Sequence, residues 1–240
     1  ALVFGMNATG YFFLMLAYLT MLPAYHNCVF KDPQPEDPAS ACTVENICAA
    51  DSHVLSYEID WNNIYSLHNW VEKLNLTCKP GWKIGMMGSM YFVGWVSTLV
   101  FVPRLSDRYS RKKVFAVGMV ADWVLYIAMF LNSSLDLMIV IFFLFGMATT
   151  CRLNVGYVYL MELMPKRLQG RYGSTCSTLD GSILLMGTFY FWFVSKDWFY
   201  FTLIGFGLST WNVIAIRYVP ESPRLLIELQ RLDEAWASLQ

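Results

Sequence analysis

Apolar runs at Gly5–Tyr25, Ile84–Val102, Val114–Leu131, Leu135–Met161, Ser174–Val194 and Trp198–Val219 constrain this chain more than any other feature. A segment needs roughly 20 apolar residues, at about 1.5 Å of rise each, to cross a bilayer. Hydrocarbon cannot satisfy an open backbone, so each run is expected to be a transmembrane helix. A soluble α/β enzyme would instead need buried strands of about 4–8 residues. Composition agrees, with 56% hydrophobic and only 15% charged residues; soluble domains carry about 25% charged. A signal peptide is the rival for the first run, but its apolar core would be only about 7–15 residues long. The chain opens at Ala1 beside that run without an initiator Met, so further N-terminal residues are expected.

Lysine and arginine set the orientation, because short cytoplasmic connections accumulate them. The connection after the second run carries Arg104, Arg108, Arg111, Lys112 and Lys113; that after the fourth carries Lys166, Arg167 and Arg171. Arg217, Arg224 and Arg231 lie at and beyond the end of the sixth. The alternate short connections, Asn132–Ser134 and Ser195–Asp197, are poor in base. Both chain ends are therefore expected in the cytoplasm. The resulting division is a first helix in residues 1–27, a non-cytoplasmic loop over 28–82, helices two to six over 83–219, and a cytoplasmic segment over 220–240.

The outer loop is far longer than the usual helix connection of about 2–8 residues. It holds Cys28, Cys42, Cys48 and Cys78, which on an oxidising face imply two disulfides with three possible pairings. A zinc site is the alternative, but the spacing matches no standard ligand pattern. Asn75-Leu76-Thr77 is a glycosylation sequon within the loop. Asn132-Ser133-Ser134 is another, close to the membrane, and Asn7-Ala8-Thr9 falls inside the first helix.

Three clusters carry a family resemblance. Pro103-Arg104-Leu105-Ser106-Asp107-Arg108-Tyr109-Ser110-Arg111-Lys112 resembles the loop 2–3 signature of the major facilitator superfamily, with Pro103 and Ser110 replacing its two glycines. Pro220-Glu221-Ser222-Pro223-Arg224-Leu225-Leu226 and Arg231-Leu232-Asp233-Glu234-Ala235 resemble the stretch that follows helix 6 in sugar porters and organic-ion transporters. There Leu225 stands for a Trp and Gln230 for a Gly. Glu162, Pro165 and Gly170 fit the pattern after helix 4, with Gln169 in place of its arginine, a role left to Arg167 or Arg171. The resemblance implies a cytoplasmic gating network of Asp107, Arg108, Arg111, Glu162, Glu221 and Arg224. The long cysteine-bearing loop is similar to the organic cation/anion transporter branch. Full members have about twelve helices in two halves, so the implied fold is all-α integral membrane, the N-terminal six-helix half of such a transporter.

Ionisable residues within spans are costly and usually face the bundle interior. Arg152, Asp180 and Asp122, joined by Asn154 and Tyr157, are the candidates for a substrate pathway; a buried structural ion pair is the alternative. Phe12, Phe13, Tyr91, Phe92 and Trp95 offer cation–π faces. No catalytic, metal-binding or cofactor-binding constellation is visible, and no phosphate-cradling glycine loop. The expectation is secondary transport of small organic ions by alternating access, not enzyme chemistry. Its partners would be a small organic solute, the lipid bilayer, and a C-terminal six-helix half or partner subunits, with no nucleic acid. The plasma membrane is the expected location and an organellar membrane the alternative. A transport-inactive scaffold subunit is the competing function.

Overall fold

A computed structural model describes residues 2–7, 10–30, 43–48, 54–228, 230, 231, 233 and 236. The first run yields three short helices: α1 (Leu2–Asn7), α2 (Gly10–Phe13) and α3 (Leu16–Leu19). It stops earlier than the expected Gly5–Tyr25, because Pro23 removes a donor and Tyr25 already belongs to strand β1 (Tyr25–Phe30). The outer segment then contributes α4 (Val44–Cys48), strand β2 (Val54–Ile59) and α5 (Trp70–Lys73). The strands are antiparallel, with Tyr25 opposite Ile59 and His26 opposite Glu58. Cys48 and Cys78 are joined in a disulfide that closes a 30-residue separation. Cys28 is also disulfide-bonded, while Cys42 lies outside the described residues. The outer segment is thus a folded unit rather than a plain loop.

Next come α6 (Gly81–Leu99), α7 (Val102–Arg108), α8 (Arg111–Leu131), α9 (Leu135–Thr149), a π-helical turn (Thr150–Asn154) and α10 (Val155–Leu163). They are followed by α11 (Lys166–Phe189) with a second π-helical turn (Tyr190–Val194), α12 (Trp198–Ala215) and α13 (Pro223–Glu228). Among the described residues, three helical stretches are long and apolar enough to cross a membrane: Arg111–Leu131, Leu135–Leu163 and Trp198–Tyr218. The pair α6 and α7, bent by 41°, makes a fourth if it is one span. The two other expected spans fall short for different reasons. The first is in short pieces. The fifth, α11, is long enough but polar, exposing Ser174, Thr175, Ser177, Thr178 and Asp180 through its middle.

Packing explains the rest. Phe12 sits at the centre of the core, its ring 4.5 to 5.5 Å from those of Phe145, Tyr126 and Phe142. The α6–α9 crossing is backbone on backbone: a Cβ on Gly94 would lie 2.0 Å from the Phe143 carbonyl, and one on Gly146 would lie 1.9 Å from that of Tyr91. Small residues at such crossings let helix backbones approach where lipid gives no hydrophobic drive to associate. Apolar side chains outside the core, such as Val117, Val124, Leu185 and Trp211, are exposed on the outer surface.

The outer segment is fastened to the helix ends. Asn69 donates to the carbonyls of Tyr18 (3.0 Å) and Met21 (2.7 Å) and caps α5 through Val71 N–H. Lys73 donates at 3.0 Å to the carbonyls of Met129 and Phe130, the last turn of α8, and lies 4.9 Å over the Trp198 ring. A cation there completes carbonyls that the helix cannot satisfy itself. Partial burial pushes the Lys73 ammonium below the ordinary lysine value. His68 pairs with the Lys196–Trp198 backbone, and Lys196 donates to the carbonyls of Trp61 and Asn63 at 2.8 Å.

Candidate functional site

Two constellations stand at different heights of the helix bundle. The inner one begins with Arg152, 1% exposed, on the π-helical turn after α9. Its Nε lies 3.6 Å from Oδ1 of Asp122, which is wholly buried on α8. At that separation the contact is one of charge rather than a hydrogen bond. Ser209 of α12 donates to the other carboxylate oxygen at 3.2 Å, and Arg152 Nη1 donates to the Met6 carbonyl. One buried pair therefore joins α1, α8, α12 and the π-turn.

Asp180 is not a member of that ion pair but lies within reach of the Arg152 charge. Together with Arg152 it borders a cavity of about 190 Å³ whose walls include Gly10, Phe13, Tyr91 and Trp95. Gly10 matters because a side chain there would meet Ile183 at 2.9 Å and approach Asp180 Oδ1 at 3.7 Å. The Phe13 and Tyr91 rings stack at 3.9 Å, and Trp95 Nε1 donates to Asn154 Oδ1 at 3.2 Å. Asn154 thus orients a wall residue from outside the cavity. Tyr157 is 45% exposed and faces away, towards Arg111 in one cavity and Arg224 in another. Of the expected pathway set, Arg152 and Asp180 share the cavity, Asp122 backs Arg152, and Asn154 and Tyr157 are not among its walls. Phe12 belongs to the core, and Phe92 is exposed.

The second constellation gathers the three sequence clusters at the basic end of the bundle. Asp107 and Arg108 are on a helix, α7, not in a loop. Ser110 caps α8, accepting from Lys113 N–H at 3.1 Å, so the residue that replaces a signature glycine does a cap's work. Arg111 joins Asp107 through Nη1 at 2.9 Å and Glu162 through Nε at 2.6 Å. Glu162 in turn accepts from Ser222 at 2.6 Å. Glu221 accepts from the Ser110 hydroxyl and, at 3.1 Å, from the Lys112 amide. An acidic side chain from beyond α12 therefore caps the start of α8. Arg224 borders a neighbouring cavity with Glu162 and Gln169, and Arg108 lies 6.0 Å from the Tyr109 ring. Gln169 donates to the Met161 and Met164 carbonyls, at 2.8 and 3.3 Å, rather than joining the carboxylates. Arg167 and Arg171 lie early in α11, not in a connection.

Sequence reasoning missed Ser209, the Met6 carbonyl, Ser110 and Ser222 as partners. Ser110 and Ser222 carried a signal, each as a cap residue directly before a helix start, Ser222 with Pro223 after it. Of the sequons, Asn75 is exposed with φ of 51°, whereas Asn132 is buried and donates to the Ser134 carbonyl at 2.7 Å.

Comparison with known proteins matches these features to a family. A family model described as "Sugar (and other) transporter" matches residues 3–240. Solute carrier family 22 member 4 of Mus musculus is 26% identical over 177 residues, 71% of this chain and 31% of that protein. Organic cation/carnitine transporter 2 of Homo sapiens is 26% identical over 168 residues, 69% of this chain and 30% of that protein. Synaptic vesicle glycoprotein 2B of Rattus norvegicus is 25% identical over 186 residues, 68% and 26% of the two chains. The match thus spans about a third of the length of these relatives or less. Since the family match runs through almost every residue that builds the two constellations, the chain belongs to the sugar (and other) transporter family of the major facilitator superfamily, whose members are multi-pass membrane proteins.

Proposed function

We propose that this chain forms one six-helix half of a secondary transporter for small organic ions, and that its own half of the pathway favours cations. The observation that carries the reading is the division of charge. Asp122, itself held by Ser209, engages Arg152 inside the protein, and Asp180 is the acid that borders the cavity. One base and two acids sum to one negative charge. Aromatic rings at Phe13, Tyr91 and Trp95 supply the faces that organic cations prefer. The exposed polar face of α11 fits the same reading, since lipid does not accept a row of hydroxyls and a carboxylate. That face would line a water-filled path completed by a second half, and the plasma membrane is the proposed location.

In this reading Arg111 and Glu221 hold the basic end of the bundle closed while the opposite end is open, and the contacts break in the alternate state. The test is uptake of a labelled organic cation by cells expressing the full-length protein. Asp180→Asn should abolish cation uptake while leaving surface expression unchanged. Unaltered uptake would sink the assignment. The scaffold reading rests on Gln169, whose engagement with the end of the preceding helix, α10, leaves the acidic network without one family arginine. It predicts no uptake by wild type and an intact native mass near the 27.6 kDa of this chain.

A further inference from the structure

A groove of about 470 Å³ runs between α6, α8 and α9 on the outside of the bundle. Small residues create it: Gly118, Ala121 and Ala148 leave space that Val117, Val124 and Leu144 border. Its volume falls within the range of small-molecule sites, about 300–1,000 Å³. The Thr98 hydroxyl at its edge is turned inward, 2.6 Å from Thr150 Oγ1, so the walls offer a ligand hydrocarbon and the sulfurs of Met147 and Cys151. The same stripe of α8 continues to Lys113, one turn before Val117 and therefore on the same face. Lys113 is exposed and has no ion pair among the described residues; Arg104, on the adjoining α7, is likewise exposed without one. Asp107, six residues before Lys113, is engaged by Arg111, and Glu221, which the fold brings to the start of α8, is engaged by Ser110 and Lys112.

We propose that this groove holds an acyl chain of an anionic glycerophospholipid, with the headgroup phosphate and carboxylate on Lys113. The apolar slot alone would take any lipid tail; the lysine at its basic end selects the charge. Anionic lipids gather in the leaflet that faces this end, because the positively charged connections orient it there. The site also has a route to the cavity. Cys151 borders the groove, and Arg152, the next residue of the same π-turn, borders the cavity. A Cβ on Gly118 would lie 2.5 Å from Cys151 Cβ, so α8 packs directly against that turn. A bound chain therefore buttresses the turn that presents Arg152. The inference rests on the membrane setting and not on the choice of transported ion.

Native mass spectrometry of the full-length protein in mild detergent, offered phosphatidylserine or phosphatidylcholine, tests it. Wild type should retain phosphatidylserine in preference to phosphatidylcholine. Lys113→Gln should lower phosphatidylserine retention about fivefold, the worth of one basic residue at an anionic surface, and leave phosphatidylcholine unchanged. Val124→Trp, at a position already 52% exposed, should fill the slot and reduce retention of both lipids. Ala121→Trp should do the same from the floor, with monodisperse elution as the check on folding. Equal phosphatidylserine retention in wild type and Val124→Trp overturns the site. Equal retention of the two lipids by wild type, or no effect of Lys113→Gln, overturns the charge selection. A mass increment of a second protein chain that Val124→Trp removes would assign the groove to a protein contact and overturn the lipid.

Discussion

Arg152 and Asp122 form a pair in which each partner makes the other tolerable. Both are desolvated, and removing one leaves the other charged and buried. Arg152→Ala should therefore destabilise the protein by about 3–5 kcal/mol, read as a lowered thermal midpoint in detergent. Arg152→Ala combined with Asp122→Asn should recover much of the loss, because the uncompensated charge is gone. Lys73 behaves in the opposite sense from a salt-bridged lysine. Its pKa is lowered by desolvation, so the unfolded chain binds the proton more tightly than the folded one. Stability should rise with pH in the window between its depressed folded value and the ordinary lysine value. Lys73→Met should flatten that rise, which thermal unfolding at several alkaline pH values would show.

At the level of elements, the α6–α9 crossing is the least forgiving. A methyl group on Gly146 has nowhere to go, since its neighbour is a backbone carbonyl and not a pliable side chain. Gly146→Ala should cost about 1–3 kcal/mol or prevent assembly, measured by the yield and melting of purified protein. Gly170 and Gly207 have open space around a Cβ, and alanine there should be silent. Most of the helical plan was legible in the sequence, because long apolar runs admit few other structures. The departures have physical causes. Basic residues placed in connections extended the starts of α8 and α11, where Arg111 and Lys166 are already helical. The bend between α6 and α7 follows the break at Val100–Phe101 and leaves Pro103 in the first turn of the new helix, where its missing donor does no harm. The outer strands were not legible, since His26 and Glu58 meet across sequence that carries no alternating pattern. For the site, the ionisable residues were recognisable by their cost in a span, but which acid takes Arg152 depends on helix rotation, which no spacing rule supplies.

For the whole molecule, the charged network at the basic end of the bundle ties remote parts of the chain together. Glu221 reaches the start of α8 across 109 residues of sequence, and Ser222 beside it reaches Glu162 on α10. Glu221→Ala should release the Ser110 hydroxyl and the Lys112 amide together. Loss of a cap is worth about 1–2 kcal/mol, so amide exchange over Ser110–Val114 should accelerate roughly tenfold. Exchange in the outer segment, held by Asn69, Lys73 and the Cys48–Cys78 link, should be unchanged. Acceleration at both ends would mean that the network supports global stability and not one end. The disulfide removes about 3–4 kcal/mol of unfolded-chain entropy for a loop of its size, which helps keep the outer unit intact.

The π-helical turn at Thr150–Asn154 has a consequence in the language of genes. Such a turn is an α-helix with one residue inserted, and it leaves the axis nearly unchanged. The turn absorbs that extra residue, but a single in-frame codon deleted from the regular helix after it, within residues 155–161, would not be absorbed, and the stretch would still be long and apolar enough to span the bilayer. The two helical parts would then be rotated by about 100° relative to each other, the angle of one residue in a helix of 3.6 per turn. Arg152 would no longer face Asp122 while Glu162 faced Arg111. A three-base deletion there is thus an allele that preserves expression signals, hydropathy and reading frame, yet turns the buried Arg152–Asp122 pair away from the Arg111–Glu162 bridge.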